Sequence, residues 1–228
     1  MTLDIKTIPK VIVKTGKYGS VEIVKQDGIY LLKHSDVDWN VYTLPGGMRE
    51  YYEQWSGYDL AYGDVLISGF GFGQMATWLA SKPEVKSVTV LEVSQDIVDV
   101  FLINNKMPDN VSVVIADANN YKTDKKYDCV IFDHIQNGQP YVSFYKDICQ
   151  AAKEIPHDLF WFWSIEYYYA RYYYHISHLD LYVNNINLDV YDFSKHWSIL
   201  RQILDMPTIP SISKEKLSIY MKHYFTRI

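Results

Sequence analysis

An α/β chain with a doubly wound, mostly parallel sheet is the fold class this sequence predicts, with a small antiparallel β-hairpin region in front of it. Three observations predict it. Residues 10–43 alternate apolar and polar, punctuated by Gly16, Gly19 and the pair Asp27-Gly28, as short antiparallel strands joined by tight turns do. From residue 64 the texture changes to apolar runs of strand length alternating with helical segments. Strands buried on both faces with helices between them make a parallel sheet. The chain's 228 residues, 48% hydrophobic, suit one compact unit with a small appendage. The expected division is residues 1–46 for the hairpins and 47–228 for the α/β domain.

In chain order, Pro45-Gly46-Gly47 breaks the hairpins, and "MREYYEQWSGYDL" reads as a short helix ending near Gly57. "DVLIS" is the first strand of the larger sheet and "GQMATWLASK" a helix. "VKSVTVLEV" is the second strand, followed by the helix "SQDIVDVFLINN" with Ser94 as N-cap and Asp96 in its first turn. "VSVVIAD" and "YDCVIFD" are the third and fourth strands, "YVSFYKDICQAAKE" a helix, and "DLFWFWS" the fifth strand. Further on, "SKHWSILRQIL" reads as helix and "KLSIYMKHYFTRI", by its alternation, as a closing strand.

Composition bounds the function. A net charge of −5 and a pI near 5.8 argue against a track for nucleic-acid phosphates. No apolar run approaches the roughly 20 residues of a membrane span, and no signal peptide is evident, so a cytoplasmic protein that binds no membrane is expected. Cys129 and Cys149 read as reduced core residues of a strand and a helix. The 21 tyrosines and 6 tryptophans, dense after residue 158, suit core and subunit-interface packing, with stacking on bases or sugars as the other use. No metal site is expected: His175, His178 and Asp180 lie close in sequence, but no further ligands accompany them.

In a parallel sheet that reverses its strand order, ligands sit at the carboxyl ends of the strands. Here the first strand runs into Gly69, Gly71 and Gly73, which permit a tight turn and close approach to the backbone. The second ends in Glu92, placed to accept both ribose hydroxyls of an adenosine. The third ends in Asp117, whose carboxylate can accept from an adenine amino group while Ala118 offers its backbone N–H. Asp133 closes the fourth, beside the ligand's reactive end. A dinucleotide would want its third glycine three residues after the second, where position 76 is Ala, so the spacing leans to a single adenosine.

This strand-end set resembles class I S-adenosyl-L-methionine (SAM)-dependent methyltransferases and their relatives, implying a Rossmann-like SAM-binding fold. Within them, "GKYGSVEIVKQDGIYL", "VLISGFGFGQ" and "YDCVIFDHIQNGQPYVSFYKDICQAAKE" are similar to the amino-terminal sheet, nucleotide loop and gate loop of spermidine synthases, over residues 10–155. That resemblance implies a homodimer and a polyamine-type chemistry using decarboxylated SAM. Several positions depart from it. Phe72 stands where the family has an Asp for the aminopropyl end, Gln136 where it has an Asp that helps deprotonate the attacking amine, and Ile8 near the place of a ligand-holding Gln.

A multiply charged amine needs carboxylates to hold it and take its proton. Methyl transfer from a sulfonium needs alignment and desolvation more than a strong base. The first expectation is therefore a SAM-dependent methyltransferase acting on a small-molecule acceptor, with Asp133, Gln136 and Tyr141 positioning the reactants and His134 a candidate base. Aminopropyl transfer is the alternative, with Glu50 and Glu53 supplying the missing carboxylates; intramolecular SAM cleavage would use the same pocket. The remaining reading is a binding or assembly module, favoured if Phe70 or Phe72 fills the nucleoside space.

Overall fold

The computed structural model describes residues 8–26, 28–34, 37–43, 48–134, 141–163, 165–166, 169 and 207–225. Strands β1 (Gly16–Tyr18), β2 (Val21–Gln26), β3 (Ile29–His34) and β4 (Val37–Thr43) form an antiparallel sheet in sequential order. Gly28 takes a φ of 82° at the β2–β3 turn, the left-handed conformation that an Asp-Gly hairpin needs. Residues 10–15 hold no strand, although their alternation predicts one. They run past Asn105 instead, whose side chain accepts from the N–H of Ile12 (2.8 Å) and donates to its carbonyl (2.9 Å). Backbone polar groups tied up by a side chain have no need of a ladder.

After α1 (Met48–Leu60) the larger sheet begins with β5 (Gly63–Ser68), then α2 (Gln74–Ala80), β6 (Val85–Glu92), α3 (Gln95–Asn104), β7 (Val111–Ile115) and β8 (Tyr127–Phe132). α4 (Tyr141–Glu154), β9 (His157–Phe162) and α5 (Lys214–Phe225) complete the described elements. Strand order is β7-β6-β5-β8-β9 with every neighbour parallel, so the expected doubly wound sheet is present. The order reverses between β5 and β8, which like β6 are buried along most of their length.

Two expectations need correction. α1 runs past Gly57 to Leu60. That glycine serves packing, because a Cβ on it would lie 3.0 Å from the Trp161 ring. The helix end is marked instead by Lys82, whose Nζ donates to the carbonyls of Tyr58, Asp59 and Ala61 at 2.7–2.8 Å. The proposed closing strand is helix α5. Its buried residues Leu217 and Tyr220 are three apart, and Ser213 Oγ accepts from the N–H of Lys216 as an N-cap does. Ser94 is the N-cap of α3 in extended backbone, as expected, but it makes no side-chain cap bond, and its hydroxyl lies 3.2 Å from His34 Nε2. The same nitrogen is 3.0 Å from Ser20 Oγ, and Ser20 donates its N–H and hydroxyl to Asp96, which ties the antiparallel sheet to the start of α3.

Most aromatics of α1 and α2 pack inward, while Tyr62 is exposed. Trp78 of α2 stacks on Tyr58 at 4.0 Å and meets Tyr51 edge-on at 5.5 Å, while Trp55 meets Tyr220 edge-on at 5.3 Å. Cys129 lies fully buried in β8. The segment 194–204 lies outside the described residues, as do His175, His178, Asp180 and the side chain of Cys149. No described helix is long and apolar enough to cross a membrane, and no group of three His, Cys, Asp or Glu among the described residues could hold a metal ion.

Candidate functional site

Pairing brings the strand ends into line. Ser68 pairs with Leu91 on one side and Phe132 on the other, and Glu92 pairs with Ile115. Gly69, Glu92, Ala116–Asp117 and Asp133 therefore share one edge of the sheet, beside the point where its order reverses. This crevice is where an open α/β sheet receives ligands.

The glycine turn is built on left-handed backbone, with φ of 84° at Gly69, 52° at Gly71 and 74° at Gly73. What approaches the backbone is protein. A Cβ on Gly73 would lie 2.7 Å from the Phe101 ring and 2.8 Å from that of Phe70, and one on Gly69 would lie 3.3 Å from the Asp133 carbonyl. Phe70 and Phe72, each 5% exposed, are committed to the core. Phe70 meets Phe101 of α3 edge-on at 5.1 Å, and Phe72 lines a small apolar recess with Val11, Val13 and Phe101.

Glu92 is 2% exposed. Its Oε2 accepts from the N–H of Phe70 (2.8 Å) and its Oε1 from that of Ser94 (3.0 Å), so it clamps the glycine turn to the start of α3. Burial raises its pKa, and these backbone bonds partly offset the shift. The Val93 N–H also acts on this carboxylate and favours its charged form. Beside it, Val93 is 51% and Ile115 47% exposed. Two apolar side chains bared at adjacent strand ends can receive a flat heterocycle. Sequence reasoning passed over both, although each sits at a strand end it had located.

Asp117 is exposed, and its carboxylate accepts from the Asn119 N–H (2.9 Å) and Asn120 Nδ2 (2.7 Å), holding the turn after β7. Ala118 is buried under that turn. At the end of β8, Ser68 Oγ accepts from the Asp133 N–H (3.0 Å) and donates to His134 Nδ1 (2.7 Å), while His134 Nε2 donates to Asn119 Oδ1 (3.1 Å). Burial pulls its pKa down to about 4, so the imidazole is neutral at neutral pH and Nδ1 accepts from Ser68. With its lone pair occupied and so low a pKa, His134 is a poor base.

Asp133 Oδ2 accepts from Gln54 Nε2 of α1 at 2.7 Å. No sequence motif marks Gln54, which lies 79 residues away. Gln136 lies outside the described residues, as do the side chains of Tyr141, Glu50 and Glu53; Tyr141 opens α4 and the two glutamates belong to α1. Ile8 is buried in the core.

No protein-family model matches this sequence, and no curated protein sequence does. Among solved structures, the chain is similar to the N-methyltransferase NodS from Bradyrhizobium japonicum WM9. It is 18% identical over 68% of this chain and 80% of that one, with a TM-score of 0.44. The NodS complex with S-adenosyl-L-homocysteine aligns over 46% of this chain at 19% identity and a TM-score of 0.36. A putative RNA methyltransferase from Pyrococcus horikoshii aligns over 53% at 25% identity and a TM-score of 0.40. This chain spans only 52% of the NodS complex chain and 59% of the Pyrococcus protein. At those values the likeness transfers no activity, substrate or partner.

Proposed function

We propose that this chain is a SAM-dependent methyltransferase acting on a small molecule. The observation that carries the reading is the left-handed glycine turn clamped through the Phe70 N–H to buried Glu92 at the reversal point of the sheet. Glu92 would accept the ribose hydroxyls, Val93 and Ile115 would flank the adenine, and the turn at Asp117–Ala118 would meet its polar edge. Asp133 would lie at the sulfonium end, with Gln136 and Tyr141 positioning the acceptor. Because Phe70 packs on Phe101 of α3 and Phe72 is buried in the core, the condition that favoured a non-catalytic assembly module loses its support. The acidic net charge supports a small-molecule acceptor over a nucleic acid.

Methyl transfer here needs proximity and exclusion of water and no strong base, which His134 is not. Aminopropyl transfer is the second reading, favoured by the Gln54 carbonyl, which adds an acceptor at the end of β8 where Phe72 supplies none. Calorimetric titration with SAM and with decarboxylated SAM tests both. Tighter binding of SAM is expected. Tighter binding of the decarboxylated form would replace methyl by aminopropyl transfer, and binding of neither would end both readings.

A further inference from the structure

Gln54 is 6% exposed and lies on a helix gripped from two sides, by Tyr51 against Trp78 and by Trp55 against Tyr220. Its amide is fixed in orientation. Nε2 donates to Asp133 Oδ2 at 2.7 Å, and the reversed amide would set a carbonyl against a carboxylate oxygen at that distance. The other half of the amide is left over: Oε1 is shielded from water and has no hydrogen-bond donor among the described residues. Buried acceptors without donors are rare in folded proteins, and a retained one calls for an explanation.

We infer that Gln54 Oε1 and Asp133 together form a receptor for an ammonium or amine group on a ligand bound at the carboxyl end of β8. The carbonyl lies one amide group from the carboxylate, so a cation meeting both gains a hydrogen bond and an opposite charge. An ammonium carries only donors, which suits a receptor made of acceptors. Away from water the bond is strengthened, though the groups over Oε1 must yield as the ligand enters. The inference rests on reading the strand ends as an adenosyl site. The amine has two sources: the α-amino group of the cofactor, or an amine acceptor beside it.

The experiment separates them by calorimetry on the full chain. S-Adenosylhomocysteine, which carries the α-amino group, and methylthioadenosine, which lacks it, are titrated into wild type, Gln54→Leu and Gln54→Glu. Propylamine is titrated into each protein, empty and loaded with methylthioadenosine. If the cofactor supplies the amine, Gln54→Leu weakens S-adenosylhomocysteine about 10- to 100-fold and leaves methylthioadenosine within about twofold. Gln54→Glu, which keeps an acceptor, retains the binding. If an acceptor supplies it, both nucleosides are unaffected and Gln54→Leu abolishes saturable propylamine uptake. Equal weakening of both nucleosides, or no weakening of either with propylamine uptake absent or unchanged, would overturn the inference and leave an ordered water as the partner of Oε1. Failure of wild type to bind either nucleoside sinks the proposed function, while propylamine uptake by the empty protein still decides the receptor. If Gln54→Leu does not fold, Gln54→Met replaces it.

Discussion

Acidification reads the network around His134 directly. Its folded pKa of about 4 lies below the ordinary value of 6.5, because burial disfavours the imidazolium. The unfolded chain therefore takes up a proton between those values while the folded protein resists it. By linkage this stability is fully present above the unfolded pKa and is lost as pH falls through the folded one. The loss reaches about 2 kcal/mol near pH 5 and about 3 kcal/mol near pH 4. Protonation reverses the bond at Nδ1, whose new N–H donates to Ser68 Oγ. The assay is urea unfolding of wild type and His134→Gln from about pH 7 to about pH 4. Carboxylates titrate in both proteins, so the difference between the two curves isolates the histidine. In parallel, nitrogen chemical shifts of His134 should show a neutral ring protonated at Nε2 throughout the neutral range. Curves parallel to within about 0.5 kcal/mol down to pH 5, or a ring midpoint near the ordinary histidine value, would refute the buried neutral imidazole.

Two other perturbations probe the frame of the site. Gly73→Ala combines a left-handed backbone with a Cβ driven into the Phe101 and Phe70 rings, so urea melts should show a loss of about 2–5 kcal/mol; a neutral result would mean the turn relaxes freely. Lys82→Met strips three carbonyls at the end of α1 of their donor and should cost about 1–3 kcal/mol, with faster amide exchange in the last turn of α1. A change below about 0.5 kcal/mol would show that water replaces the lysine without loss.

The sequence by itself determined the large sheet and where its strands end. Five apolar runs became β5, β6, β7, β8 and β9 because an apolar run of strand length is a property each segment carries locally, even in the edge strand β7, which is mostly exposed. Glu92, Asp117 and Asp133 could be placed at strand ends for the same reason. Local signals failed where two periods fitted one segment. The α5 region reads as a strand by alternation, yet Leu217 and Tyr220 share a helical face, and packing of Tyr220 on Trp55 and Asp59 settles it as a helix. Residues 10–15 alternate like a strand but have Asn105 as backbone partner.

Only the tertiary structure decided what each polar group does. The Ser94 hydroxyl turns to a histidine 60 residues away, the Phe70 N–H binds Glu92 from 22 residues off, and Gln54 reaches Asp133 across 79. Hydrogen-bond partners are set by which elements the fold lays side by side, and a linear pattern of residue types carries no such distances. The three glycines announced a close approach in the sequence. That aromatic rings and a strand end make that approach could be known only once α3 and β8 were packed against the turn.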